Sequence, residues 1–178
     1  MKQLFYIFFA MLLFSSCHGD PPIVNQPSVS DNGIKEHMIN ANKTIAQSEE
    51  TTIDEYIARH GWTMEKLLDG VRIWVYEEGN GNKVKYEDSV YVRYNIEAIN
   101  GKTFYSDITE GFVAGRRHIM IGLDQAVLQM NYGSRAKIIL PSAMAYGIAG
   151  DNDRIPKSAI LVIDLQISEK NNLNKHSK

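Results

Sequence analysis

The sequence predicts an α+β domain in which an antiparallel sheet wraps one short helix, preceded by a helical extension. Three observations predict it. Apolar residues alternate with period two in several segments after Gly70. One apolar pattern of helical spacing lies late among them, over Gly122–Met130. No strand–helix–strand alternation occurs, which disfavours a doubly wound parallel sheet. The chain has 178 residues, 44% hydrophobic and 22% charged, enough for one folded core with appendages and unlike the composition of disordered chains.

The start of the chain is a separate object. Lys2 supplies a positive start, and Leu4–Phe14 is an apolar run of eleven residues, too short to span a ~30 Å hydrocarbon core as a helix. Residues 1–16 therefore read as a signal peptide. Its end, Phe14-Ser15-Ser16-Cys17, resembles a bacterial lipoprotein cleavage box, with Phe14 where that box usually carries Leu. The one cysteine sits where acylation needs it; the alternative is an ordinary secretory signal in which Cys17 is incidental. His18 follows the cysteine, so the aspartate that holds some lipoproteins at the inner membrane is missing, and the outer membrane is favoured. Losing residues 1–16 removes only Lys2 among the charges, so 18 basic residues face 21 acidic ones, a balance of -3. That gives no field for gathering nucleic acid.

Residues 17–50 carry Pro21, Pro22, Pro27, Gly33 and many Asn, Ser, Asp and Gln, with scattered apolar residues. They read as a flexible tether, spanning about 30 Å as a random coil. A helical extension follows over residues 51–69. Thr51 or Thr52 can cap a helix, with Asp54 or Glu55 three residues on, and Ile53, Tyr56 and Ile57 share one face before Gly61. A turn or a short second helix over Met64–Leu68 leads to Gly70.

Val71, Ile73 and Val75 then alternate with Arg72, Trp74 and Tyr76 as a strand, closed by the turn Gly79-Asn80-Gly81, which lacks the full glycine fingerprint and following helix of a phosphate loop. Ser89–Ala98 is a second strand, and Asn100-Gly101 is a hairpin signal leading into Thr103–Ser106. The helix over Gly122–Met130 places Leu123, Val127 and Met130 on one face and stops at Gly133. Arg135–Leu140 and Ala159–Ile167 are further strands; in the latter the face opposite Leu161, Ile163, Leu165 and Ile167 turns polar toward the end. Residues 170–178 are polar and lysine-rich and read as a disordered tail.

Reactive groups are scarce. Five histidines are dispersed with no pair at ligand spacing, one cysteine forms neither a disulfide nor a thiolate cluster, and no Gly-x-Ser-x-Gly elbow occurs. Asp151-Asn152-Asp153 lacks the Gly and Glu of a calcium loop. No metal and no cofactor are expected, and an enzyme of this sequence needs a reaction without a nucleophile.

Ala145-Tyr146-Gly147 followed by Gly150 and Ile155-Pro156, together with Gln129-Met130, Gly133 and Arg135-Ala136-Lys137, carry a resemblance. Residues 70–169 resemble an FKBP-type peptidyl-prolyl cis/trans isomerase domain. The resemblance implies an FKBP-like half-wrapped antiparallel sheet of five to six strands around one short helix, with a hydrophobic pocket between them. It implies that Tyr94 and Phe104 are pocket aromatics, joined by Phe112. It makes Ile119 and Met120 the pair whose backbone binds the ligand, Tyr146 the tyrosine whose hydroxyl reaches a ligand carbonyl, and Ile155 the aliphatic residue of the loop beyond. Departures are Tyr105 for an aspartate, Leu123 for the tryptophan of the pocket floor, Ile163 for a phenylalanine, Asp151 for a loop histidine and Lys157 for a second proline. Weak binding of the family's macrolide inhibitors is expected.

What the resemblance implies for function is a monomeric, membrane-anchored peptidyl-prolyl isomerase, lipidated at Cys17 and facing the periplasm. Its clients are proline-containing polypeptides among the exported proteins of a Gram-negative envelope. The alternative is a low-activity or inactive binding module in motility or secretion machinery, since similar lipoproteins belong to gliding-motility machinery.

Overall fold

The computed structural model describes residues 31–168, with side chains from residue 33 on. The signal peptide, Cys17, the first part of the expected tether and the expected tail lie outside the described residues. Residues up to Met38 and residues from Ile39 on form two units. The first contributes only the opening turns of a helix to the described residues; the rest of that helix and the whole sheet belong to the second.

Helix α1 runs Asp31–His60. The expected tether over 17–50 is thus helical from Asp31 on, and the helix does not begin at Thr51 or Thr52. Both threonine hydroxyls instead donate to carbonyls one turn back, Gln47 at 3.1 Å and Ser48 at 3.0 Å, which satisfies them inside a helix rather than at its start. A polar helix of this kind draws its stability from what it touches rather than from propensity. Here those contacts are Ile53 and Tyr56 against Ile139 and Val162, and the buried Arg72, which pairs with Asp54 at 2.8 Å and Glu50 at 3.3 Å. Gly61 ends the helix as expected, at φ +64, with its N–H on the Ala58 carbonyl and that of Trp62 on the Ile57 carbonyl.

The segment expected as a turn or second helix holds a two-residue strand, β1 (Glu65–Lys66), and a 3-10 turn at Leu68–Gly70. The remaining elements are β2 (Arg72–Glu77), β3 (Ser89–Ala98), β4 (Thr103–Val113), α2 (Ile121–Val127), β5 (Arg135–Leu140) and β6 (Leu161–Ser168). The strands form one antiparallel sheet of six in the order β1-β2-β5-β6-β3-β4, the α+β arrangement the sequence predicts. At the β3–β4 hairpin Gly101 takes φ +87, which a side chain resists, and its N–H reaches the Ala98 carbonyl at 2.8 Å. The Gly79–Gly81 turn docks on the segment after α2, where a Cβ on Gly79 would lie 2.1 Å from the Tyr132 carbonyl oxygen.

The period-two pattern explains both faces of the sheet. Ile138 and Leu140 of β5 and Leu161, Ile163 and Leu165 of β6 join Val90, Val92, Tyr94 and Ile96 of β3 in the main core, which α2 closes with Leu123, Ala126 and Val127. Ile139 and Val162, one residue out of phase, point to the other face and meet Ile53 and Tyr56 of α1. Toward the end of β6 that face turns to Asp164 and Gln166, which α1 does not cover with apolar contacts. Beside it Trp62, Trp74 and Tyr76 stack in sequence with ring centroids 5.9 and 5.8 Å apart.

Ile53 has no exposed surface, so Ile53→Ala should lower unfolding free energy by about 2–5 kcal/mol in urea titration. A loss below about 1 kcal/mol would show that α1 is not packed as described.

Candidate active site

On the α2 side of the sheet, three segments converge on a hollow of about 300 Å³. The sheet contributes Tyr94 and Glu110, the approach to α2 contributes His118 to Ile121, and the loop after β5 contributes Ala145 and Tyr146. Tyr94 points inward through the alternation of β3 and is buried. Its hydroxyl donates to Glu110 Oε2 at 2.8 Å. Glu110 sits opposite Val92 in a register re-set by an irregularity between Tyr94 and Ile96, where Asp107 takes φ +59 and donates its N–H to Asn95 Oδ1 at 2.7 Å.

The second segment is held by Asp124, a buried carboxylate on α2. Its two oxygens accept the N–H groups of Gly115 at 2.8 Å and Arg117 at 2.9 Å, which fixes the chain just before Ile119 and Met120.

The third segment is fixed from outside the sheet. Glu49 of α1 accepts the N–H of Ser142 at 2.9 Å and its hydroxyl at 2.6 Å. The Ser142 carbonyl in turn accepts the N–H groups of Ala145 at 3.1 Å and Gly147 at 2.8 Å, the two neighbours of Tyr146. Farther on, Asp151 Oδ1 accepts the N–H groups of Asp153, Arg154 and Ile155 within 3.0 Å. Asp151 Oδ2 accepts the Tyr105 hydroxyl at 2.6 Å, so Tyr105 ties this loop to β4. Gly150 makes the bend at φ +73, where a Cβ would lie 2.3 Å from the Ile155 carbonyl oxygen.

The two pocket tyrosines differ in what they have left to give. Tyr94 is committed to Glu110, whereas among the described residues no hydrogen bond engages the Tyr146 hydroxyl, on a side chain 37% exposed. Burial, then the charges of Asp151 and Glu110, push the Tyr146 phenol above its ordinary range; burial, then the Glu110 hydrogen bond, do the same for Tyr94. Both stay protonated at neutral pH. The Tyr105 phenol is raised chiefly by its hydrogen bond to Asp151. Partial desolvation raises the Asp151 carboxyl, but the Tyr105 hydroxyl and three backbone N–H groups outweigh it and hold it below the usual range.

The structure thus brings Tyr94, Ile119, Met120 and Tyr146 around one hollow. Phe104, Phe112, Leu123, Ile155 and Ile163 do not line it; they are buried in the core against which Tyr94 and Met120 pack. Tyr105 packs at the edge of that core. Sequence reading missed Glu110, His118 and Glu49. The alternation of Ile108, Glu110 and Phe112 is the signal that points to the first; none points to Glu49, which acts from a helix read as tether.

Residues 80–168 match the model of the FKBP-type peptidyl-prolyl cis-trans isomerase family. The chain is 33% identical over 89 residues to FK506-binding protein 2 of Dictyostelium discoideum, covering 48% of this chain and 67% of that protein. It is 32% identical over 111 residues to a probable FKBP-type 25 kDa peptidyl-prolyl cis-trans isomerase of Pseudomonas aeruginosa, covering 62% of this chain and 47% of that protein. The crystal structure of a peptidyl-prolyl cis-trans isomerase from Pseudomonas syringae pv. tomato superposes with a TM-score of 0.60 at 26% identity, covering 71% of this chain and 93% of that one. Several curated relatives are much longer than the shared stretch, which is 28% of FK506-binding protein 4 of Rhizopus delemar. With half of its residues matched by the family model, the chain belongs to the FKBP-type peptidyl-prolyl cis-trans isomerase family.

Proposed function

We propose that the protein is a lipid-anchored peptidyl-prolyl isomerase that faces the periplasm from the outer membrane and assists the folding of exported envelope proteins. The observation that carries the catalytic part is the Tyr146 hydroxyl, which no hydrogen bond engages among the described residues, beside an apolar wall of Ile119 and Met120. Rotation about a prolyl peptide bond breaks amide resonance, with a barrier of about 18–20 kcal/mol, and needs no covalent partner. An apolar wall favours the twisted amide, whose carbonyl is less charge-separated than the planar one, and a fixed donor holds the flanking chain. Tyr146 is that donor. Tyr94, turned to Glu110, is a wall and not a donor.

The anchoring part rests on Cys17 at the end of an apolar run, before a chain that reaches the first described residue at Asp31. Cys17→Ser should move the protein from the membrane fraction to the soluble fraction and abolish incorporation of labelled fatty acid. Retention of label in the variant would reject the lipoprotein reading.

Tyr146→Phe should lower kcat/KM on a proline tetrapeptide about ten-fold, the worth of one hydrogen bond, with unfolding free energy nearly unchanged. Phe104→Ala should lower both, since it empties a core position at a cost of about 3–5 kcal/mol. Background activity in the parent and both variants would favour a binding module over an isomerase.

Glu110→Gln should bring the Tyr94 and Tyr146 phenols down toward, but not to, the ordinary tyrosine range in alkaline absorbance titration. It removes a negative charge and leaves burial, the larger cause for both, in place. Because the folded-state values are raised, the stability they contribute is complete below pH ~10 and is lost as pH rises above it. The variant should lose less there. Unchanged tyrosine titration would reject the assigned Glu110 geometry.

A further inference from the structure

The segment Met144–Ile148 lines two hollows. Ala145 and Tyr146 line the pocket, while Met144, Gly147 and Ile148 line a trough of about 530 Å³ whose other wall is α1, with Ile45 and Ala46. The trough is mostly apolar: Ile53 and Met144 are buried, whereas Ile148 is 79% exposed and Ile45 46%. Hydrogen bonds set the spacing of its walls. Glu49 grips Ser142 on one side, and Glu50 pairs with Lys66 and Arg72 on the other. The helix therefore keeps its distance from the loop, and the apolar surface is open before anything binds, which lowers the cost of binding.

We propose that this trough is a second polypeptide site, taking an apolar stretch of the same unfolded client whose proline occupies the pocket. The proposal rests on the isomerase reading of that pocket. Continuity identifies the occupant. Consecutive residues of one segment line both hollows, Ala145 and Tyr146 the pocket and Gly147 and Ile148 the trough, so a client chain that continues along this segment meets both. Charge narrows it further. Glu49, Glu50 and Asp69 line the trough with Lys66, and Arg72 pairs with Glu50, which leaves one carboxylate in excess and favours neutral or basic stretches over acidic ones. An unfolded client held at both places gains from effective concentration, and a tetrapeptide that fills only the pocket does not.

Two probes separate the sites: a fluorescent twelve-residue peptide of Leu, Ala, Ser and Lys without proline, read by anisotropy, and a proline tetrapeptide, read by isomerisation. Catalysis of a disulfide-free protein whose refolding is limited by proline reports both together. In the full-length chain, Ile45→Glu should weaken the proline-free peptide about ten-fold and lower the ratio of refolding catalysis to tetrapeptide catalysis by a similar factor. Ile148→Ser is the second variant should Ile45→Glu fail to fold by circular dichroism, and the same losses are expected. Equal peptide binding by parent and variants, an unchanged ratio, or a dimer of the parent that Ile45→Glu dissolves would overturn the proposal, the last by making a second copy the occupant. Tetrapeptide turnover without peptide binding sinks the trough alone. Peptide binding without turnover sinks the isomerase reading and, with it, the shared client.

Discussion

One carboxylate sets the position of the loop that carries Tyr146. Glu49 takes both the N–H and the hydroxyl of Ser142, a residue that is itself buried, and the Ser142 carbonyl takes the amides on either side of Tyr146. Charged acceptors make short, strong hydrogen bonds, and each of these has a defined direction. The loop between Pro141 and Gly147 is thereby reduced to few conformations, and a phenol at its tip acquires a fixed reach. The anchor comes from α1, outside the residues that define the family match. The helix is part of the machinery that shapes the pocket and not a mere spacer ahead of it.

That dependence accounts for what the amino-acid sequence showed and what it hid. Ser89–Ala98 and Arg135–Leu140 were legible to the residue, because period-two burial writes one face of a strand directly into the chain. Strand β4 was legible only to Ser106. Beyond it an irregular register at Asp107 breaks the alternation, and the inward position opposite Val92 is held by a carboxylate where pattern reading looks for an apolar residue. Helix α1 was illegible before Thr51 because its anchors are polar. Glu49, Glu50 and Asp54 gain their meaning from Ser142, Lys66 and Arg72, partners that no local periodicity records. Of the pocket, the residues held in register by motifs, Ile119, Met120 and Tyr146, were readable. Glu110 was not.

Glu110 also changes how the departure at position 105 is understood. With Tyr105 in place of an aspartate, the pocket still receives a carboxylate, from five residues farther along the same strand, and that carboxylate engages Tyr94. Tyr105 meanwhile binds the Asp151 carboxylate that organises the loop through Ile155. The two tyrosines on neighbouring strands are each turned toward an acid, and each acid orders a different wall. Of these three phenols, that of Tyr146 is the one that no hydrogen bond engages among the described residues.

The aliphatic substitutions at Leu123 and Ile163 look like losses of pocket surface, yet both side chains are fully buried and neither borders the hollow. A smaller residue at a pocket floor leaves a cavity unless its neighbours close over it, and an unfilled cavity costs stability in proportion to its volume. Here the neighbours have closed: Leu123 and Ile163 share one continuous core with Tyr94, Met120 and Phe104. The hollow is consequently bounded above that core, between Tyr94, Met120 and Tyr146. A ligand there rests on side chains near the surface, with less apolar area to cover than a deep aromatic well provides, and affinity for a large rigid ligand falls with that area. On the isomerase reading proposed above, a prolyl ring, being small, would rest on what remains. The aliphatic residues at positions 123 and 163 thus alter the core beneath the hollow and leave its lining of Tyr94, Met120 and Tyr146 in place.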